Sequence, residues 1–176
     1  MDNLLQLLRF LFLNWRFIPI FVGMKRFLLI IIALCAIGYG GAQTIALGER
    51  TPRIKSAKWL NGNIPAENDF TYIEFIISAS QPCRATVERV HTHLADKKSV
   101  NIVLISHESA TEISEWVTKY ISPSSGIIVD DTTIRKEFGV KYAPFAVIID
   151  RKRRALWFGN PQILSKEQIE QLITTK

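Results

Sequence analysis

Three side chains carry most of the chemistry available to this sequence: a thiol, a hydroxyl three residues before it, and a carboxylate in an otherwise apolar run. Cys83 stands in the stretch Ser78-Ala79-Ser80-Gln81-Pro82-Cys83-Arg84, between a strand-like run and a helical pattern. A thiol in the first turn of a helix feels the positive end of the helix dipole. With Arg84 beside it, that favours the thiolate, which is the reactive form. The structural reading is that Cys83 shares one helical face with Val87, Val90 and Leu94, where a free cysteine packs as a small hydrophobe. Ser80 is a favoured N-cap residue whose oxygen accepts from first-turn N–H groups, Cys83's among them. Its hydroxyl stays protonated and forms no disulfide. Glu74 interrupts the run Tyr72-Ile73-Glu74-Phe75-Ile76-Ile77. Turned inward, it would have its pKa raised by desolvation, which suits general-base work near neutral pH; turned to an edge, it would meet water or a lysine.

Other constellations are weaker. His91 and His93 are two apart on a helical stretch and face different directions, whereas a zinc pair on a helix wants a spacing of four. Ser106-His107-Glu108 reads as a strand-end loop, since adjacency in sequence is not triad geometry. There is no glycine-rich phosphate loop, and no metal or cofactor is expected. Arg151-Lys152-Arg153-Arg154 reads as a solvated hairpin tip.

The chain has 176 residues, 48% of them hydrophobic and 22% charged, which excludes wholesale disorder, collagen and a coiled coil. A net charge of +6 and a pI near 9.5 would suggest nucleic acid. The charge divides evenly between residues 1–42 and 43–176, however, so the body of the protein is only mildly basic and no nucleic-acid partner is expected.

The first 42 residues read as a targeting segment. From Met24 the order is Met-Lys-Arg, an apolar run over Phe27–Ile37, and Gly38-Tyr39-Gly40-Gly41-Ala42-Gln43. A basic start, a short apolar core and a small-residue exit describe a secretory signal peptide. The apolar run is shorter than the roughly 20 residues a bilayer span needs. Cleavage after Ala42 would make Gln43 the mature N-terminus. Residues 1–23 are interrupted by Arg9, Asn14 and Arg16 and read as upstream of the true start; an uncleaved anchor is the alternative, and the expected route to a membrane. Cys35 lies in this segment, preceded by Leu34 where a lipoprotein signal wants a small residue. The mature domain over 43–176 then keeps one cysteine and cannot form an internal disulfide.

The remainder alternates strand and helix patterns. Strands are expected at Tyr72–Ile77, Val100–Ile105, Gly126–Val129, Phe145–Ile149 and Ala155–Phe158. Helices are expected from Cys83 to Leu94, around Ala110–Tyr120, briefly over Thr132–Phe138 before Gly139, and after Ser165, where Ser165 and Gln168 have the spacing of a capping box. This order predicts one α/β domain with a mixed sheet flanked by helices.

With its junctions, the order resembles a thioredoxin-like fold, and in particular the TlpA/ResA branch of extracytoplasmic thiol-disulfide oxidoreductases. The resemblance rests on four segments in order after a leader: the strand at 72–77, Ala79-Ser80-Gln81-Pro82-Cys83, Val140 to Asp150 with Ala143-Pro144-Phe145, and Trp157-Phe158-Gly159-Asn160-Pro161 before the last helix. It spans roughly residues 44–176. It implies a cis bond at Pro144, with the backbone of Ala143 open to an extended substrate segment beside Pro82. It also implies that Glu74 is the buried acid that relays the proton of the resolving cysteine, Cys83.

The departures matter as much. Ser80 stands where the family has its attacking cysteine, and Ala79 where it has tryptophan. The resemblance therefore implies an exported, degenerate oxidoreductase that binds a protein or peptide thiol or disulfide partner in the periplasm or cell envelope. The alternative is a one-cysteine protein in which Cys83 forms mixed disulfides or reduces peroxides. A glutathione-binding module ranks last, because the residues after 150 cannot supply its helical domain.

Overall fold

The computed structural model describes residues 45–55 and 57–174. The signal peptide, its cleavage after Ala42 and Cys35 lie outside the described residues. Strand β1 is Lys58–Trp59, β2 Phe70–Ile76, β3 Val100–Ser106, β4 Ser125–Val129, β5 Phe145–Asp150 and β6 Ala155–Gly159. Helix α1 is Gln81–Leu94, α2 Glu115–Thr118, α3 Ile134–Glu137 and α4 Lys166–Thr174. The strands form one mixed sheet in the order β1-β4-β3-β2-β5-β6. β2, β3 and β4 run parallel, while β5 is antiparallel to β2 and β6 to β5.

β2 lies at the centre because nearly every residue in it can be buried, which a strand with neighbours on both edges and layers on both faces requires. Glu74 is in register with Leu104 of β3 on one side and Ala146 of β5 on the other. Alternation sends Phe70, Tyr72 and Ile76 to the face covered by α1 and α4, and Ile73 and Phe75 to the opposite face. On α1, Cys83, Thr86, Val87, Val90 and Leu94 form the buried stripe. Each of its fully buried aliphatic side chains contributes about 1.5–3 kcal/mol relative to exposure.

The final helix opens as its sequence pattern predicts: Gln168 N–H donates to Ser165 Oγ at 3.2 Å, and Ser165 N–H to Gln168 Oε1 at 2.9 Å. α3 is held by Asp131, whose carboxylate accepts from the N–H groups of Thr133, Ile134 and Arg135, and Gly139 ends it with a φ of 65°. The helix expected over Ala110–Tyr120 is a correction, since only the four residues of α2 are helical. Ser114 is extended (φ −64°, ψ 140°), and its N–H donates to Ser78 Oγ at 3.0 Å across 36 residues of sequence. That tie draws it out of helical geometry and leaves 109–113 as a turn in which Ile113 N–H donates to Ser109 C=O.

Candidate functional site

β2 ends at Ile76, Ile77 to Ser80 turn the chain, and α1 begins at Gln81, so the Ser80-Gln81-Pro82-Cys83 stretch lies at a helix N-terminus. Ser80 is the N-cap residue, with φ −83° and ψ 118°, but its side chain makes no capping hydrogen bond. This corrects the capping role expected of it. An N-cap oxygen serves the N–H groups two and three residues on, and Pro82 at the first of these has none. The backbone of Ser80 is fully used: its N–H donates to Ile77 C=O at 2.9 Å, and its C=O accepts from Arg84 N–H at 3.0 Å.

Cys83 is 0% exposed and is the free cysteine among the described residues. Its Sγ accepts from Ile77 N–H at 3.5 Å, so the thiol closes the loop inward. Arg84, expected to polarise it, lies instead over the Trp116 ring at 5.9 Å. Glu74 is also 0% exposed and faces α1 from β2. Its carboxylate accepts from Tyr72 Oη at 2.7 Å and from Thr86 Oγ1, and neither bond involves Cys83. Burial raises the Glu74 pKa from 4.5 to about 7, against the opposing pull of the Thr86 and Tyr72 hydrogen bonds and of Arg89. Burial, and then Glu74 itself, push the Tyr72 hydroxyl well above its ordinary value.

The Ala143–Pro144 peptide is cis. Pro144 is buried, and Ala143 is half-buried against the same apolar cluster that contains Cys83. β5 begins only at Phe145, and among the described residues the backbone N–H and C=O of Ala143 make no hydrogen bond. Next to it, Tyr142 is 53% exposed and stands edge-on to Phe145. Ala79, in the turn after β2, and Pro82, in the first turn of α1, are exposed.

Four groups at this end of the sheet were not singled out from sequence. Thr86 and Tyr72 hold Glu74; both lie on its face, Thr86 by its place on the buried stripe of α1 and Tyr72 by its place two residues earlier in β2. Glu108, read only as part of a loop, accepts from Ser78 N–H, Ser78 Oγ and Ser106 Oγ, each at 2.7 Å. Burial raises its pKa, but those hydrogen bonds outweigh it and hold the group below the ordinary carboxylate value. Trp116 donates from Nε1 to Ser78 C=O at 2.9 Å, placing an indole against the turn that Ala79 leaves bare.

The histidines do not converge: His91 lies tilted against Tyr120 with ring centroids 4.6 Å apart, while His93 lies 3.1 Å from Glu170 on α4. Among the described residues no three His, Cys, Asp or Glu side chains gather as a metal site would require. In the hairpin tip, Arg154 pairs with Asp150 at 2.7 Å and Arg153 donates to Thr51 C=O at 2.8 Å. Half of the basic tetrad is therefore structural.

No protein-family model matches the chain, and no curated protein matches it. Solved structures do. A thioredoxin-like protein from Aeropyrum pernix superimposes with a TM-score of 0.53 at 16% identity, covering 65% of this chain and 80% of its own. MTB DsbF gives 0.53 at 19% identity, covering 67% and 91%. A secreted Mycobacterium tuberculosis disulfide oxidoreductase gives 0.50 at 17% identity, covering 60% and 81%. At these identities the shared property is the fold, and the fold of residues 45–174 is thioredoxin-like.

Proposed function

We propose that this chain is an exported thioredoxin-fold protein of the TlpA/ResA type that has lost the dithiol couple. It works by holding an extended segment of a thiol- or disulfide-bearing protein partner in the cell envelope, after removal of residues 1–42. The observation that carries this reading is the state of the two motif positions: a serine at position 80, and a fully buried thiol at position 83. Thiol-disulfide exchange needs an accessible thiolate to attack and a second thiol to resolve the mixed disulfide, and Ser80 cannot be the first. The disulfide oxidoreductases among the structures of the same fold support the redox ancestry. The unpaired backbone of Ala143, next to the exposed Tyr142, supports retained binding, since an extended segment gains main-chain hydrogen bonds there.

The one-cysteine alternative needs a sulfur that an external thiol or peroxide can reach, and the burial of Cys83 argues against it. The test is insulin reduction driven by dithiothreitol, with an ordinary thioredoxin alongside. The expected rate is that of dithiothreitol alone. Turnover comparable to the thioredoxin overturns the proposal.

A further inference from the structure

The face of the sheet opposite α1 is covered unevenly. Near the C-terminal ends of β2 and β3, Ile134, Phe138 and Val140 pack onto it. At the other end the cover is coil from residues 52–54 and 65–68, and beneath it lies a cavity of about 600 Å³. That is within the range of small-molecule sites. Ile73, Val103, Ile149 and Asn101 lie buried at its base, and the half-buried Ile54, Trp59, Pro65 and Thr71 present surface to it.

The walls are pinned by hydrogen bonds from distant parts of the chain. Asn63 Nδ2 donates to Ser122 C=O at 2.9 Å and to Ser125 C=O at 2.8 Å. Asn101 Nδ2 donates to Ala66 C=O, and Asn68 Nδ2 to Lys98 C=O at 2.7 Å. Thr51 N–H donates to Arg153 C=O at 2.8 Å, and Arg153 Nη1 returns a bond to Thr51 C=O. A space whose walls are fixed this way is preformed, so a ligand would not have to order them.

The rim is cationic. Arg53, Arg151 and Arg153 line it against Glu67. Asp150 also lines it, but its carboxylate is spent on the Arg154 side chain and backbone N–H. Among the described residues neither Arg53 nor Arg151 has an ion-pair partner. Three guanidinium groups facing one free carboxylate leave a positive mouth beside the apolar surface of Ile54, Trp59 and Pro65.

We propose that this cavity binds a small anionic amphiphile, with its acidic head at Arg53 and Arg151 and its apolar body against the half-buried Ile54, Trp59 and Pro65. This site is separate from the turn at Cys83 and does not depend on the reading given for that turn.

The experiment titrates the full-length protein with octanoate below its micelle concentration, with acetate and octanol as the head-only and body-only controls. Binding is followed at the Trp59 indole and Thr71 amide resonances, so that adsorption elsewhere on the chain is not counted. Octanoate should saturate these signals, more tightly than either control and less tightly as salt is raised. The double charge reversal Arg53→Glu with Arg151→Glu, both at exposed positions, should weaken octanoate by roughly tenfold or more and leave octanol unchanged. Equal binding of octanoate and octanol, an unaffected double variant, or no saturable shift at Trp59 and Thr71 each overturns the proposal.

Discussion

Glu74 is a carboxylate between two strands and a helix, with both its oxygens taken by hydroxyls rather than by a cation. Burial therefore decides its protonation, and its pKa stands near 7 in the folded chain against 4.5 as the ordinary value. An acid whose folded pKa is raised contributes stability that is fully present below the unfolded value. That contribution is lost as pH rises through the folded value. Between pH 4.5 and about 7 the folded state keeps a proton that the unfolded state has released, and the gap amounts to roughly 3 kcal/mol. Urea denaturation of the wild type should show stability falling by an amount of that order from pH 5 to pH 8. Glu74→Gln cannot ionise and should flatten this decline; an equal slope in both proteins would mean that Glu74 is not the titrating group. The strand pattern left the direction of Glu74 open between the interior and an edge, and only the resemblance implied the interior. Its partners were less legible: Thr86 reads as an ordinary polar helix residue until the helix is laid on the strand. The capping role expected of Ser80 failed locally, because the proline needed to start the helix removed one of the two donors such a cap serves.

Helix α1 is the element most completely legible in the sequence, since the four-three-four spacing from Cys83 to Leu94 coincides with its buried stripe. α2 was the least legible, because what delays its start to Glu115 is the Ser78–Ser114 bond, and the two residues are 36 apart. The tethering role of Glu108 was hidden for the same reason. With α1 in place, its N-terminus allows a direct test of the motif geometry. Ser80→Cys would place a second thiol at the N-cap, one helical turn before Cys83 and at the end of the dipole that favours thiolate. Mild oxidation should then make the tryptic peptide containing both positions lighter by two hydrogens, as an intramolecular disulfide requires. Insulin reduction should rise above wild type but stay short of an ordinary thioredoxin, because the exposed Ala79 offers no indole beside the new thiol. A peptide of unchanged mass after oxidation would show that positions 80 and 83 are not disposed as in a redox-active motif.

Across the whole molecule, the segment 59–65 lies on the sheet because β4 presents a glycine beneath it. A Cβ on Gly126 would stand 2.7 Å from the Trp59 ring and 2.8 Å from both Asn63 O and Pro65 Cδ. Gly126→Ala should therefore cost about 1–3 kcal/mol by overpacking, read as a lower urea midpoint at unchanged slope. An unshifted midpoint would mean that this cover floats free of the sheet. Five of the six strands and the crossover through α1 were readable from the sequence; the two-residue β1 was not. The cavity was not, because coil segments leave no periodic trace. The sheet's two margins bear on self-association. On one side β4 is overlain by only the two residues of β1. On the other, β6 is five residues long, follows a register shift at Ile148/Ile149, and is occupied at its start by residues 47–51. Short, bent and partly occupied margins are poor templates for aggregation. The unpaired backbone at Ala143, which the proposed function gives to a partner, is therefore not accompanied at the described sheet margins by a long ladder on which copies of the chain would polymerise.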